Sequence, residues 1–222
     1  MWVPFGRRLP DEVEAAIIEP VPLWNDKRQE HGPFDIIGDV HGCCDELEAR
    51  LQQLGYLTKT VDGDSATWGN EAFAHPDGRK AVFVGDLVDH GPRIVDTLRL
   101  VRNMIVVGSG LCVPGNHDMK LMRKLRGKDV QITHGLANSL AEIAALPDEV
   151  RATFCKELAE FLDGLVSPYV LDDGKLVVAH AGMKAEMQQR TPKRLASVLP
   201  YFLCRYTHTS PLSLLSPATW QK

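Results

Sequence analysis

Four short clusters in this chain combine residue types that hold cations and move protons. They are Gly38-Asp39-Val40-His41-Gly42, Gly85-Asp86-Leu87-Val88-Asp89-His90-Gly91, Gly115-Asn116-His117-Asp118 and His180-Ala181-Gly182. Carboxylates, imidazoles and an amide oxygen together suit Mn²⁺, Zn²⁺ or Fe without any thiolate. A carboxylate has two oxygens, so one Asp can bridge two cations. Two ions about 3.5–4 Å apart can clamp a phosphoryl group during in-line displacement and lower the pKa of bound water, supplying a nucleophile near neutral pH. The chemistry these residues point to is metal-assisted displacement at phosphorus.

Such clusters work only if the backbone delivers them to one place. Residues 34–38 (FDIIG), 81–84 (AVFV) and 111–113 are short apolar runs that end at or just before a glycine cluster, the pattern of buried strands. Residues 169–171 and 176–178 flank Asp172-Asp173-Gly174, a hairpin signal, since Asp-Gly suits a tight turn at positive φ. Helical spacing of Leu47, Leu51 and Leu54 predicts a helix over 45–55, and Ile94, Leu98 and Val101 predict another over 93–104. Residues 118–126 and 136–163 also read as helical, with a break near Pro147, and 60–80 reads as a loop or hairpin. Alternating strands and helices give an α/β class without internal repeats. Ligands of α/β sheets bind beyond the carboxyl ends of the strands, so all four clusters should face one crevice.

In order and spacing, the four clusters resemble the calcineurin-like binuclear metallophosphoesterases, which include protein phosphatases and dinucleoside tetraphosphatases. The stretches VPLWNDKRQEHGPFDIIGDVHGCCDELEARL, VFVGDLVDHGP, LCVPGNHDMKLMRKLRGKDVQITHGL and VVAHAGM are similar, within that superfamily, to the phosphatase domain of bacterial polynucleotide kinase-phosphatase, an RNA-repair protein. The resemblance spans residues 12–188. It implies a two-sheet sandwich flanked by helices (αββα). It also implies that Asp39 and His41 hold a first metal, Asp86 bridges, and Asn116 and His180 hold a second. His117 would be the general acid, oriented and charged by Asp89. The implied cofactor is a pair of divalent ions, Mn²⁺ first, with Zn²⁺, Ni²⁺ or Fe as alternatives. The implied substrates are phosphate esters, RNA 3′-phosphate or 2′,3′-cyclic phosphate ends in particular. The rivals are a dinucleoside tetraphosphatase, a Ser/Thr protein phosphatase, or a degenerate, non-catalytic binding protein.

Two departures from the family pattern stand out. An arginine usually follows the second Asp of GDxxD and clamps phosphate, but here the position holds His90. Imidazole lacks the bidentate guanidinium fork, so activity should tilt towards diesters. Arg93, three residues on, is the candidate substitute. A later Gly-His-Thr motif is missing, and His208 is the one histidine after His180. His208 is thus the candidate remaining ligand of the second metal, against the plainer reading of a solvated histidine. All 29 acidic residues lie at or before Glu186, and residues 187–222 carry five basic ones and none acidic. That break predicts a truncated or out-of-frame end, an incomplete second sheet, and self-association through the exposed edge. The expected layout is an N-terminal arm or linker remnant over 1–33, the metallophosphoesterase domain over 34–186, and an atypical tail over 187–222.

The 222 residues suit one domain, and 44% hydrophobic content supports a core. A net charge of −4 argues against simple electrostatic nucleic-acid binding. No apolar run approaches a membrane span of about 18–20 residues. Five cysteines without a CxxC pair read as reduced thiols in a cytoplasmic protein, and Cys43 and Cys44 as packing residues. Lys120, Arg123, Lys124, Arg126 and Lys128 form either a patch for a phosphate chain or a solvated helix face. The plainer reading of Asp89 is a helix cap, second to the dyad with His117, and His31, His75 and His134 read as structural or surface residues.

Overall fold

The computed structural model describes residues 25–63 and 65–182, and the backbone of 205–206. Strands β2 (Phe34–Ile37), β5 (Lys80–Phe83) and β6 (Gly110–Cys112) form a parallel sheet in the order β2-β5-β6. Strands β1 (Asp26–Lys27), β7 (Tyr169–Leu171), β8 (Leu176–Val178) and β9 (Arg205–Tyr206) form a second sheet in the order β1-β7-β8-β9. A separate antiparallel pair joins β3 (Leu57–Thr60) to β4 (Glu71–Ala74). The helices are α1 (Cys44–Gln53), α2 (Ser65–Trp68), α3 (Ile94–Val106), α4 (Asn116–Leu125), α5 (Leu136–Ala144) and α6 (Asp148–Gly164).

The period-2 alternation of the first sheet divides its two faces. Ala81, Phe83 and Cys112 point to the helices and pack with Leu51, Leu98, Met104 and Phe154. Val82, Val84, Leu111 and Val113 point the other way and meet Tyr169, Leu171, Leu176 and Val178 of the second sheet. Two sheets with helices outside are the expected α/β sandwich. Fully burying each Val, Leu or Phe contributes about 1.5–3 kcal/mol, so both interfaces matter to stability.

All three strands of the first sheet run the same way, so their C-terminal loops emerge at one edge. Those loops touch backbone to backbone. Gly85 has φ +88°, and a Cβ there would sit 2.3 Å from the Gly115 nitrogen. A Cβ on Gly115 would sit 2.2 Å from the Asp86 nitrogen. Only hydrogen fits between the β5 and β6 loops at these points.

Several elements differ from the sequence-based expectation. The arm expected over 1–33 does not run to residue 33 as a free segment. β1 pairs in parallel with β7, Asn25 O accepts from Val170 N–H at 3.0 Å, and Lys80 pairs with Glu30. Two polar residues held by long-range backbone bonds leave no periodic signal. Within the expected loop or hairpin over 60–80, α2 adds a helical turn that buries Trp68. The break expected near Pro147 is present, and residues 136–163 form two helices, α5 and α6, divided there. In the segment expected as a tail, the backbone of β9 pairs antiparallel with β8, Leu176 opposite Tyr206 and Val177 opposite Arg205. β8 is therefore paired on that side over those two residues. No helix among the described residues is long and apolar enough to cross a membrane.

Gly115→Ala should lower unfolding stability by about 1–3 kcal/mol, because the added methyl overpacks the loop contact. Gly164→Ala, at the end of α6 with nothing within 4 Å of the added Cβ, should be neutral or stabilise by up to about 1 kcal/mol. Urea denaturation of both variants checks the pair; equal stabilities would mean the two loops do not interlock.

Candidate active site

Asp86 lies at the base of the crevice, 5% exposed, with φ +50°. Its Oδ1 accepts the backbone N–H of His117 at 3.0 Å. Its Oδ2 faces two imidazoles, 3.5 Å from His180 Nε2 and 4.0 Å from His41 Nε2. His180 Nδ1 is 2.7 Å from the Val84 carbonyl and His41 Nδ1 is 2.7 Å from the Val88 carbonyl. A carbonyl only accepts, so each Nδ1 carries the hydrogen, and Nε2 is the ring nitrogen turned to the crevice.

His180 Nε2 also lies 3.1 Å from Asn116 Oδ1. The Asp39, Asp86 and His180 ligand atoms lie within 4.8 Å of one another. Desolvation raises the Asp39 carboxyl above its ordinary range, and the Asp86 charge raises it further. Carboxylate, amide and imidazole lone pairs aimed at one space repel each other unless a cation lies between them. The donor set therefore fits a divalent ion of the borderline class, with both Nδ1 hydrogens anchored as metal-binding histidines require.

A second unit lies beside it. His117 Nδ1 donates to Asp89 Oδ2 at 2.7 Å, and Asp89 is fully buried. That hydrogen bond raises the His117 pKa above its ordinary value; burial opposes it, and the Asp86 charge assists. The imidazolium is therefore favoured. Ser139, buried on α5, donates its hydroxyl to Asp89 Oδ1 and accepts the Asp89 N–H at 3.0 Å. One turn along α5, Glu142 accepts the N–H groups of Ile94 and Val95, both at 2.8 Å, and caps the first turn of α3. Asp118 pins two loops, accepting Leu87 N–H at 2.9 Å and Gly115 N–H at 2.8 Å. Its burial pushes the carboxyl up to about 6.

Sequence reading did not assign Ser139, Glu142 or Asp118. Asp118 had a detectable signal, three residues after the Gly115 cap. Ser139 and Glu142 had none, because both act across the fold on residues 47–50 positions earlier.

Of the expected site residues, Asp39, His41, Asp86, Asp89, Asn116, His117 and His180 meet in this crevice. His90 joins them through ring contacts, with centroids 4.9 Å from His41 and 5.8 Å from His117. The Arg93 guanidinium pairs with Asp45, with Glu48 at 3.2 Å and with Asp96 at 2.9 Å, and so braces α1 against α3. Those carboxylates raise its pKa and engage its Nε and Nη1. His208 lies outside the described residues. In the basic run, Lys120 donates to Thr133 and Arg126 pairs with Asp163 at 3.0 Å. Burial raises the Cys43 thiol and pushes Cys44 up to about 12, so neither is an activated thiolate.

The sequence profile of calcineurin-like phosphoesterases matches residues 32–202. The chain is 38% identical over 168 residues to bis(5′-nucleosyl)-tetraphosphatase PrpE [asymmetrical] of Geobacillus sp. (strain WCH70), across 76% of this chain and 64% of that protein. It is 39% identical over 168 residues to the protein of that name from Halalkalibacterium halodurans, with the same 76% and 64% coverage. The chain thus spans 64% of the length of these curated relatives. Among solved structures, a candidate diadenosine tetraphosphatase is similar with a TM-score of 0.45 and 26% identity, over 77% of this chain and 59% of that one.

Ser139→Ala should cost about 1–3 kcal/mol, because it leaves the buried Asp89 N–H and one carboxylate oxygen without their partner. Thermal unfolding checks this, and unchanged stability would show that Ser139 does not hold Asp89.

Proposed function

The chain belongs to the calcineurin-like phosphoesterase family, and from that we propose that it is a metal-dependent hydrolase of phosphate esters and anhydrides. The observation that carries this reading is the convergence of Asp39, Asp86, Asn116, His41 and His180 lone pairs beside a hydrogen-bonded His117–Asp89 pair. Asp39 and His41 would hold one divalent ion, Asn116 and His180 another, and Asp86 would serve both. Mn²⁺ is the first candidate, with Zn²⁺, Ni²⁺ or Fe as alternatives. Once bound, the ions would supply Lewis acidity, lowering the pKa of water and drawing charge from the phosphoryl oxygens.

The protein's own groups supply the remainder. Water contributes oxygen to phosphorus as the bond to the leaving oxygen breaks, and His117 Nε2 gives that oxygen its proton. Asp89 orients the ring and keeps it protonated, and Ser139 fixes Asp89. This dyad favours catalysis over a binding-only role. For substrate, similarity to proteins named bis(5′-nucleosyl)-tetraphosphatase supports a dinucleoside polyphosphate. The leaving group would then be a nucleotide phosphate. RNA 3′-phosphate or 2′,3′-cyclic ends are the second reading, favoured by the stretch VPLWNDKRQEHGPFDIIGDVHG and the basic face of α4. The free cysteines at 43, 44, 112 and 155 fit a reducing, cytoplasmic setting. A homo-oligomer is part of the same proposal.

Metal-stripped protein should gain hydrolysis on Mn²⁺ titration, and Asp86→Ala should abolish it. Diadenosine tetraphosphate should be cleaved faster than 3′-phosphorylated RNA; the reverse order would select the RNA reading. His117→Ala should lose about 10²–10⁴-fold on poor leaving groups and much less on p-nitrophenyl esters, which need no proton. Asp89→Asn removes the main cause raising the His117 pKa, so the alkaline fall in kcat should move to lower pH. Equal losses on both leaving groups would remove His117 from the acid role.

A further inference from the structure

His90 brings a third imidazole to the crevice. Asp89 and His90 both have left-handed backbone, φ +74° and +57°. The His90 ring packs against Gly135, where an added Cβ would lie 3.0 Å from His90 Nδ1. His90 is exposed, and its ring has no hydrogen bond or ion pair among the described residues. Ligand nitrogens of His41, His90 and His117 lie within 4.8 Å of one another. In two of these rings Nδ1 is already engaged, by the Val88 carbonyl and by Asp89, which leaves Nε2 for a ligand.

We propose that His41, His90 and His117 form a second cation seat, selective for nitrogen-seeking ions such as Zn²⁺ and Cu²⁺, that competes with the carboxylate-centred site. Tetrahedral zinc with Zn–N bonds of about 2.0–2.1 Å needs nitrogens about 3.3 Å apart. His41 and His117 are held at Nδ1, so the closure falls to the exposed His90, which can turn towards them. An all-imidazole seat suits Cu²⁺ and Zn²⁺, whereas Mn²⁺ prefers the oxygen-rich cluster around Asp86. His41 has one available Nε2, so the two seats cannot use it together.

Occupancy of the imidazole seat takes the His117 Nε2 lone pair, and any proton there leaves to solvent. It also occupies the His41 Nε2 that faces Asp86. Excess Zn²⁺ therefore inhibits by two routes, removal of the proton donor and loss of a neighbouring ligand. This inhibition rests on the proposed hydrolase reading; the metal binding does not.

The test measures binding in Asp86→Asn, which cripples the carboxylate site and leaves the three imidazoles. Cu²⁺ should bind this variant with one tight equivalent whose electron paramagnetic resonance spectrum carries nitrogen hyperfine splitting. Adding His90→Asn should weaken that binding at least about tenfold, since a ligand nitrogen is lost. Asn tolerates the left-handed backbone at this position, and circular dichroism checks that the fold persists. His90→Arg, which also removes the imidazole, should weaken binding equally. Affinities within twofold across these proteins would overturn the proposal. In otherwise wild-type protein with Mn²⁺, His90→Asn should raise the Zn²⁺ concentration for half-inhibition by a similar factor; an unchanged value would overturn the inhibitory role. Absence of any hydrolysis would defeat the hydrolase reading, while Cu²⁺ binding would still decide the seat.

Discussion

The buried charge of Asp86 is the constraint on which the rest of the crevice depends. A carboxylate removed from water requires compensation close at hand. One oxygen has it, from the backbone N–H of His117. The other faces two imidazole Nε2 atoms whose Nδ1 hydrogens are committed to carbonyls at Val84 and Val88. Lone pairs meet lone pairs there, and a cation resolves the conflict. Side chains that each look unfavourable without an ion become a coherent set with one.

Holding such a set in place takes structure that has no chemistry of its own. The β5 and β6 loops approach so closely that Gly85 and Gly115 admit no side chain. Asp118 ties the same two loops through Leu87 and Gly115. Helix α5 supports the third side. Ser139 fixes Asp89 and Glu142 caps α3, from one face of the helix and one turn apart. Dry surroundings strengthen the Asp89–His117 bond, and that bond raises the imidazole's pKa against the opposing effect of burial.

The glycine-terminated strands were legible from sequence because apolar runs and abrupt glycines are local signals. Residues 34–38, 81–84 and 111–113 coincide with β2, β5 and β6 to within a residue. The Asp172-Asp173-Gly174 turn was legible for the same reason, and its three residues do have positive φ. What escaped is non-local. β1 is too short and polar to leave a pattern, and Ser139 lies 50 residues from the loop it serves. The surroundings of Arg93 are not legible because sequence distance carries no direction: it precedes α3, and its guanidinium turns to carboxylates of α1 and α3. The family resemblance supplied roles for the crevice residues. It could not supply the buttress, because buttressing residues are specific to how this chain packs.

The most direct measurement is the Mn²⁺ electron paramagnetic resonance spectrum of the metal-stripped protein as Mn²⁺ is added. Two ions sharing Asp86 would bind as a pair and give an exchange-coupled, multiline signal at two equivalents per chain, absent from Asp86→Ala. A single uncoupled six-line signal, unaltered in Asp86→Ala, would contradict a binuclear centre built on Asp86.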